Sequence, residues 1–110
     1  MEKPKYYKWV NKQILPCESF IDWALWYENA DRIIKRTYVK HVLISTVFLS
    51  IDHAFCQETP VLFETLVFKG KFDGVMKRYT TYKDSLKGHE ETVKLCQSEF
   101  IHLTEKTQNN

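Results

Sequence analysis

Residues 42 to 55 read VLISTVFLSIDHAF, residues 60 to 68 read PVLFETLVF, and residues 78 to 89 read RYTTYKDSLKGH. These stretches decide the fold. The first two are dense in β-branched and aromatic residues and are bounded by Asp52-His53, Pro60 and Gly70, which predicts strands over 42–51 and 61–69. The third changes period. Tyr82, Leu86, His89, Val93 and Cys96 recur at spacings of three and four, which predicts a helix with one stripe facing the sheet. Thr81 and Asp84 form a capping box at its start, and its end is expected near Gln97.

Working outward, KGKFDG (69–74) is a turn and residues 75 to 80 are the next strand. Upstream, residues 33 to 39 form a strand joined to the 42–51 strand at Lys40-His41. Earlier still, SFIDWALWYENAD (19–31) predicts a helix capped by Ser19 with Asp22. KYYKWV (5–10) reads as a short edge strand, and Pro16 breaks the chain after it. The polar tail, residues 103 to 110, is expected to fray. Consecutive strands with short connections pair antiparallel. The expectation is therefore one α+β domain over residues 1 to 102, a meander of four to five strands with two helices packed on it.

Composition narrows the function classes. The chain has 110 residues, 44% hydrophobic and 15% aromatic, enough apolar area for one core. Sixteen Lys and Arg against 14 acids leave a net charge of +2 with no basic cluster, so a nucleic-acid partner is not expected. Cys17, Cys56 and Cys96 are dispersed and lack metal-binding spacing, which fits a reducing cytoplasm rather than a disulfide framework or zinc knuckle. The N-terminal MEKPKYYKWV has no apolar run resembling a signal peptide, and no stretch is apolar for long enough to span a membrane.

Asp52, His53, Glu64, Arg78 and His89 interrupt the apolar patterning and form the candidate ligand-binding set. If His53 lies opposite Val61, then Ser50 lies opposite Glu64, and Asp52 becomes a diagonal neighbour of Glu64 on one face. If Phe68 lies opposite Met76, Arg78 approaches from the other side. Two carboxylates with a histidine could hold a divalent cation, and a carboxylate raised by an acidic neighbour could act as a general acid or base. The structural reading of the same residues is a Glu64–Arg78 pair across the sheet, Asp52 closing a turn by an Asx-type bond, His53 as a turn residue and His89 as a satisfied core group. A Cys56–His53 nucleophile pair lacks any orienting third group. The first helix is apolar nearly all round. The plain reading of Trp23 and Trp26 is core; the functional one makes Trp23, Trp26 and Tyr27 the candidate partner surface, covered by the N-terminal strand or by a second copy in a homodimer.

Ser45 to Phe55, Pro60 to Phe68 and Arg78 to His89 together resemble a group of small proteins encoded by bacteriophages and prophages. Their pattern is STVFLGIDHNF, a Gly/Pro-rich loop, PLLFETMVF, a short turn, then RYSTWEEAEAGH. ADRIIKRT (30–37) is similar to the ADRRVART upstream in that group. This chain departs from the pattern at Ser50, where the group has glycine, and at Cys56-Gln57-Glu58-Thr59, where it has a glycine-rich loop. The resemblance implies a bacterial host cytoplasm as the setting and supplies no mechanism and no cofactor. The expected function is binding of a host protein or host-derived small ligand, as in counter-defence. The alternative is a small metal- or carboxylate-dependent enzyme acting on a nucleotide or similar anion.

Overall fold

A computed structural model describes residues 5–54 and 59–108, with side chains to Ile101. The elements are β1 (Tyr7–Val10), β2 (Gln13–Pro16), α1 (Phe20–Tyr27), β3 (Ile33–Val39), β4 (Val42–Phe48), β5 (Phe63–Phe68), β6 (Met76–Tyr79) and α2 (Tyr82–Gln108). β3 to β6 form a four-stranded antiparallel meander in sequence order, and β1 and β2 form a separate hairpin. The fold is α+β, as the patterning predicts.

Both capping signals act as expected. Ser19 Oγ accepts from the Asp22 N–H at 3.1 Å, and Thr81 Oγ1 accepts from the Asp84 N–H at 3.0 Å. α2 does not stop near Gln97; its helical backbone runs to Gln108. The β1–β2 hairpin is a feature the sequence reading lacks. Its turn residues Asn11 and Lys12 both have positive φ (51° and 60°), the geometry of a two-residue turn matched to strand twist. Asparagine tolerates that conformation, but lysine gives no signal for it.

The predicted β4–β5 register is corrected. Val47 lies opposite Glu64, not Ser50. The backbone N–H of Leu49 donates to Leu62 O at 2.7 Å, and that of His53 donates to Val61 O at 3.1 Å. So His53 does meet Val61, but three residues between these rungs have no counterpart on the opposite strand. Ser50, Ile51 and Asp52 turn aside instead. Tyr7 N–H donates to Ser50 O (2.8 Å), and Asp52 N–H donates to Lys5 O (2.9 Å). The excursion starts at Ser50, whose φ is +68°. That left-handed backbone suits glycine, the residue found here in the pattern the segment resembles. The β5–β6 register also differs by two residues: Leu66 lies opposite Met76, which sets Arg78 directly across from Glu64.

One sheet face is covered. Val42, Ile44, Thr46 and Phe48 of β4 and Phe63, Thr65 and Val67 of β5 point inward and are buried. α2 covers them with Ser85, His89, Thr92, Val93 and Cys96. The β1–β2 hairpin completes the cover: Trp9 stacks on Phe48 at 5.6 Å and meets Phe63 edge-on at 5.4 Å. α1 adds Trp26, edge-on to Phe48 at 6.1 Å.

The other face is open. In rows across the strands it presents Tyr38, Leu43 and Phe68, then Arg36, Ser45, Leu66 and Met76, then Ile33, Val47, Glu64 and Arg78. Tyr38 is 69% exposed, Met76 50% and Phe68 43%.

Candidate functional site

Asp52 ends the excursion. Its Oδ1 accepts from the backbone N–H of Ala54 (2.7 Å) and of Val61 (3.0 Å), which clamps the two stems of the loop that follows. This is the Asx-type role. Glu64 lies on the open face, where its Oε2 accepts from Arg78 Nε at 3.0 Å. Asp52 and Glu64 therefore do not share a pocket. The three-residue excursion separates them, and the expected two-carboxylate constellation is not assembled. Among the described residues, no group of three or more His, Cys, Asp and Glu side chains converges as metal ligands would. Cys56 lies outside the described residues. Burial pushes the Cys17 and Cys96 thiols up from their ordinary range, opposite to the shift an activated thiolate needs.

His89 is fully buried on the sheet-facing side of α2. Its Nδ1 meets Thr46 Oγ1 at 2.7 Å, and its Nε2 meets Thr37 Oγ1 at 2.8 Å. Thr46 Oγ1 meets Thr65 Oγ1 at 2.5 Å, and Tyr79 OH donates to Thr65 at 3.2 Å. One hydrogen-bonded row thus crosses all four strands, from Tyr79 on β6 to Thr37 on β3. Passed head to tail from Tyr79, Thr65 and Thr46 each accept from one neighbour and donate to the next, which leaves the histidine proton on Nε2 to be donated to Thr37. Burial lowers the His89 pKa; Glu90 opposes this and Lys35 adds to it. The neutral ring is what the row requires.

The row divides the core. On one side lie Val42, Ile44, Val67, Val93 and Cys96; on the other lie Tyr7, Phe48, Leu62 and Phe63. Among the described residues no buried side-chain nitrogen or oxygen lacks a partner. His89 therefore reads as a satisfied structural group. Thr46, Thr65 and Thr37 were missed in the sequence because threonine is an ordinary strand residue.

An open groove of about 630 Å³ runs beside β6. His53, Val61, Arg78, Tyr79, Thr80, Asp84, Lys87, Gly88 and Glu91 line it. It gathers two of the predicted site residues, His53 and Arg78. Asp84, Lys87, Gly88 and Glu91 come from one side of α2, three or four residues apart. Gly88 is there for contact: a Cβ on it would run into the Tyr79 ring and hydroxyl, so glycine lets α2 approach β6 without displacing that side chain.

The aromatic helix also differs from expectation. None of the residues of α1 is buried. Trp23 and Trp26 turn inward: Trp23 Nε1 donates to Ser50 Oγ at 3.2 Å, and its ring packs against Tyr6 and Tyr27. Phe20, Ile21 and Leu25 face outward at 59%, 68% and 67% exposed. Tyr27 carries Arg32 over its ring at 4.6 Å. Among the described residues, no helix is long and apolar enough to cross a membrane.

Comparison with protein-family models, with curated proteins and with solved structures finds no match for this chain.

Proposed function

We propose that this chain is a small phage-type accessory protein that acts stoichiometrically, by binding a host protein in the bacterial cytoplasm. The observation that carries the reading is the open sheet face. Seven of its eleven row positions are apolar or aromatic (Tyr38, Leu43, Phe68, Leu66, Met76, Ile33 and Val47), and among the described residues neither helix covers them. An uncovered apolar surface of this kind marks an interaction site. A sheet face of this kind suits a protein partner; small ligands are held in concave pockets. The resemblance to phage proteins supports the setting.

The test compares wild type with Tyr38→Ser and Phe68→Ser, each purified gently from host cells and examined by native mass spectrometry. The expected result is a partner held in fixed ratio by wild type and lost from both variants at unchanged melting temperature. A wild-type mass of two copies, or a partner that both variants retain, counts against this reading.

A further inference from the structure

We infer that the free edge of β6 takes an extended peptide of the partner as a fifth strand. This rests on the binding reading and names the chemistry that the partner supplies.

In an antiparallel pair, alternate residues spend their backbone groups on the neighbouring strand, and those between point the other way. The Val67 N–H donates to Val75 O at 3.0 Å, so positions 75, 77 and 79 bond toward β5. Met76 and Arg78 must then point their backbone N–H and C=O away from the sheet. The groove adjoins the Arg78 end of β6, with His53, Val61, Arg78, Tyr79 and Thr80 on one side and Asp84, Lys87, Gly88 and Glu91 of α2 on the other. An unpaired edge beside a helix-walled groove is the arrangement that strand addition uses: the main chain supplies hydrogen bonds, and alternate side chains enter the groove.

The opposite edge is different. β3 carries a register shift between Ile33 and Lys35, and Lys35 reaches Glu90 of α2 at 2.5 Å. Bulges and charged lysines are devices that block edge pairing.

Charge argues against a second copy as the occupant. Pairing Met76 with Arg78 of another β6 sets Lys77 against Lys77, and a register centred on Arg78 sets two guanidiniums together; a register centred on Met76 avoids both but sets Arg78 opposite Gly74, whose φ of +85° lies outside extended strand geometry. Like charges directly opposite are destabilising. A foreign strand avoids this. Its residues on the open-face side extend the apolar surface of Phe68 and Met76, and its groove-side residues lie beside Tyr79, Asp84, Lys87 and Glu91, where the charges balance. The favoured occupant is therefore an extended segment with apolar residues at every second position and uncharged polar residues between them.

Amide hydrogen exchange tests this in two stages. In the free protein, the Met76 and Arg78 amides should exchange fast while Lys77 and Tyr79 exchange slowly. A short synthetic peptide alternating valine and threonine should then slow Met76 and Arg78 at least tenfold. The same peptide, N-methylated on alternate amides so that its sheet-facing donors are blocked, should not. Three results would overturn the proposal: slow exchange of Met76 and Arg78 in the free protein, protection that grows with protein concentration alone, or no protection from valine-alternating peptides carrying glutamate, lysine or threonine. A cellular partner lost from Phe68→Ser but bound with Met76 and Arg78 still exchanging fast would overturn strand addition and leave the open-face reading standing.

Discussion

The two faces of the four-stranded sheet are built from the same residue types and have opposite fates. Along β5, Phe63, Thr65 and Val67 point one way and Glu64, Leu66 and Phe68 the other. By hydrophobicity the two sets are nearly equal. What separates them is what arrives to cover them. The inner face meets α2, Trp9 and Trp26, while nothing among the described residues crosses the outer one. The buried face also holds the polar row, and the open face holds the ion pair. A burial pattern is therefore a property of the whole chain and not of the strand that displays it.

Paired substitutions on β5 break this comparison most directly. Phe63→Ala should cost about 3–5 kcal/mol, the range for a buried aromatic that leaves a cavity. Phe68→Ala, two-fifths exposed, should cost less than about 1 kcal/mol by the same urea denaturation. Equal losses would mean that the open face is covered in solution.

His89→Leu keeps volume in the core but removes the ring that serves Thr46. It should cost about 1–3 kcal/mol, the penalty for a buried hydroxyl left without its partner. It should also change the pH profile. Burial holds the His89 pKa below its ordinary value, so the unfolded chain takes up this proton first. The stabilisation is complete above about pH 6.5 and is lost as pH falls below it. Melting temperature should drop between pH 6.5 and 5 in wild type and stay flatter in the variant. Glu90 and Asp22, whose carboxyls are held low by hydrogen bonds from Lys35 and Lys8, lose their contributions only in a lower window, below about pH 4.5.

Gly88→Ala sharpens the contrast at the join of α2 and β6. Alanine favours the helix by about 1 kcal/mol but must displace Tyr79 OH, an overpacking cost of about 1–3 kcal/mol. The expected net loss is about 1 kcal/mol in thermal melts, with the row broken at its Tyr79 end. Smallest of all is Glu64→Gln. The Glu64–Arg78 pair is partly exposed, so its charge is worth at most about 1 kcal/mol. Divalent cations added to chelator-treated protein should leave the wild-type melting temperature unchanged; a rise would revive Glu64 as a metal ligand.

Strand composition made β3 to β6 legible, and Ser19 and Thr81 made both helix starts legible. The site was less so. Leu62, Leu66 and Phe68 around Glu64 look like a core stripe; only Leu62 of the three is buried, and the stripe under α2 is Phe63, Thr65 and Val67, because period-2 alternation shows two faces without saying which one α2 will meet. Regular alternation sets Asp52 beside Glu64 and carries no sign of the turn at Ser50. Its signal was present only in the resemblance, as the glycine that Ser50 replaces. The all-round apolar sequence of α1 does not say which side faces inward. In the structure the indole N–H of Trp23 draws that side inward to Ser50 and leaves Phe20, Ile21 and Leu25 outside.

The threonine–histidine row also acts as a stop against sliding. Apolar layers alone would let α2 shift along the sheet by one turn, about 5.4 Å, and still bury valines and cysteine. A shift in one direction would set Ser85 over Thr46, and in the other Val93. Ser85 already donates to Tyr82 O at 2.6 Å, and valine has nothing to offer a hydroxyl. Either displaced arrangement strands Thr46, Thr65 and the imidazole in a dry interior. The polar stripe thus gives a small two-layer protein one seating of its long helix where oily contacts would accept several.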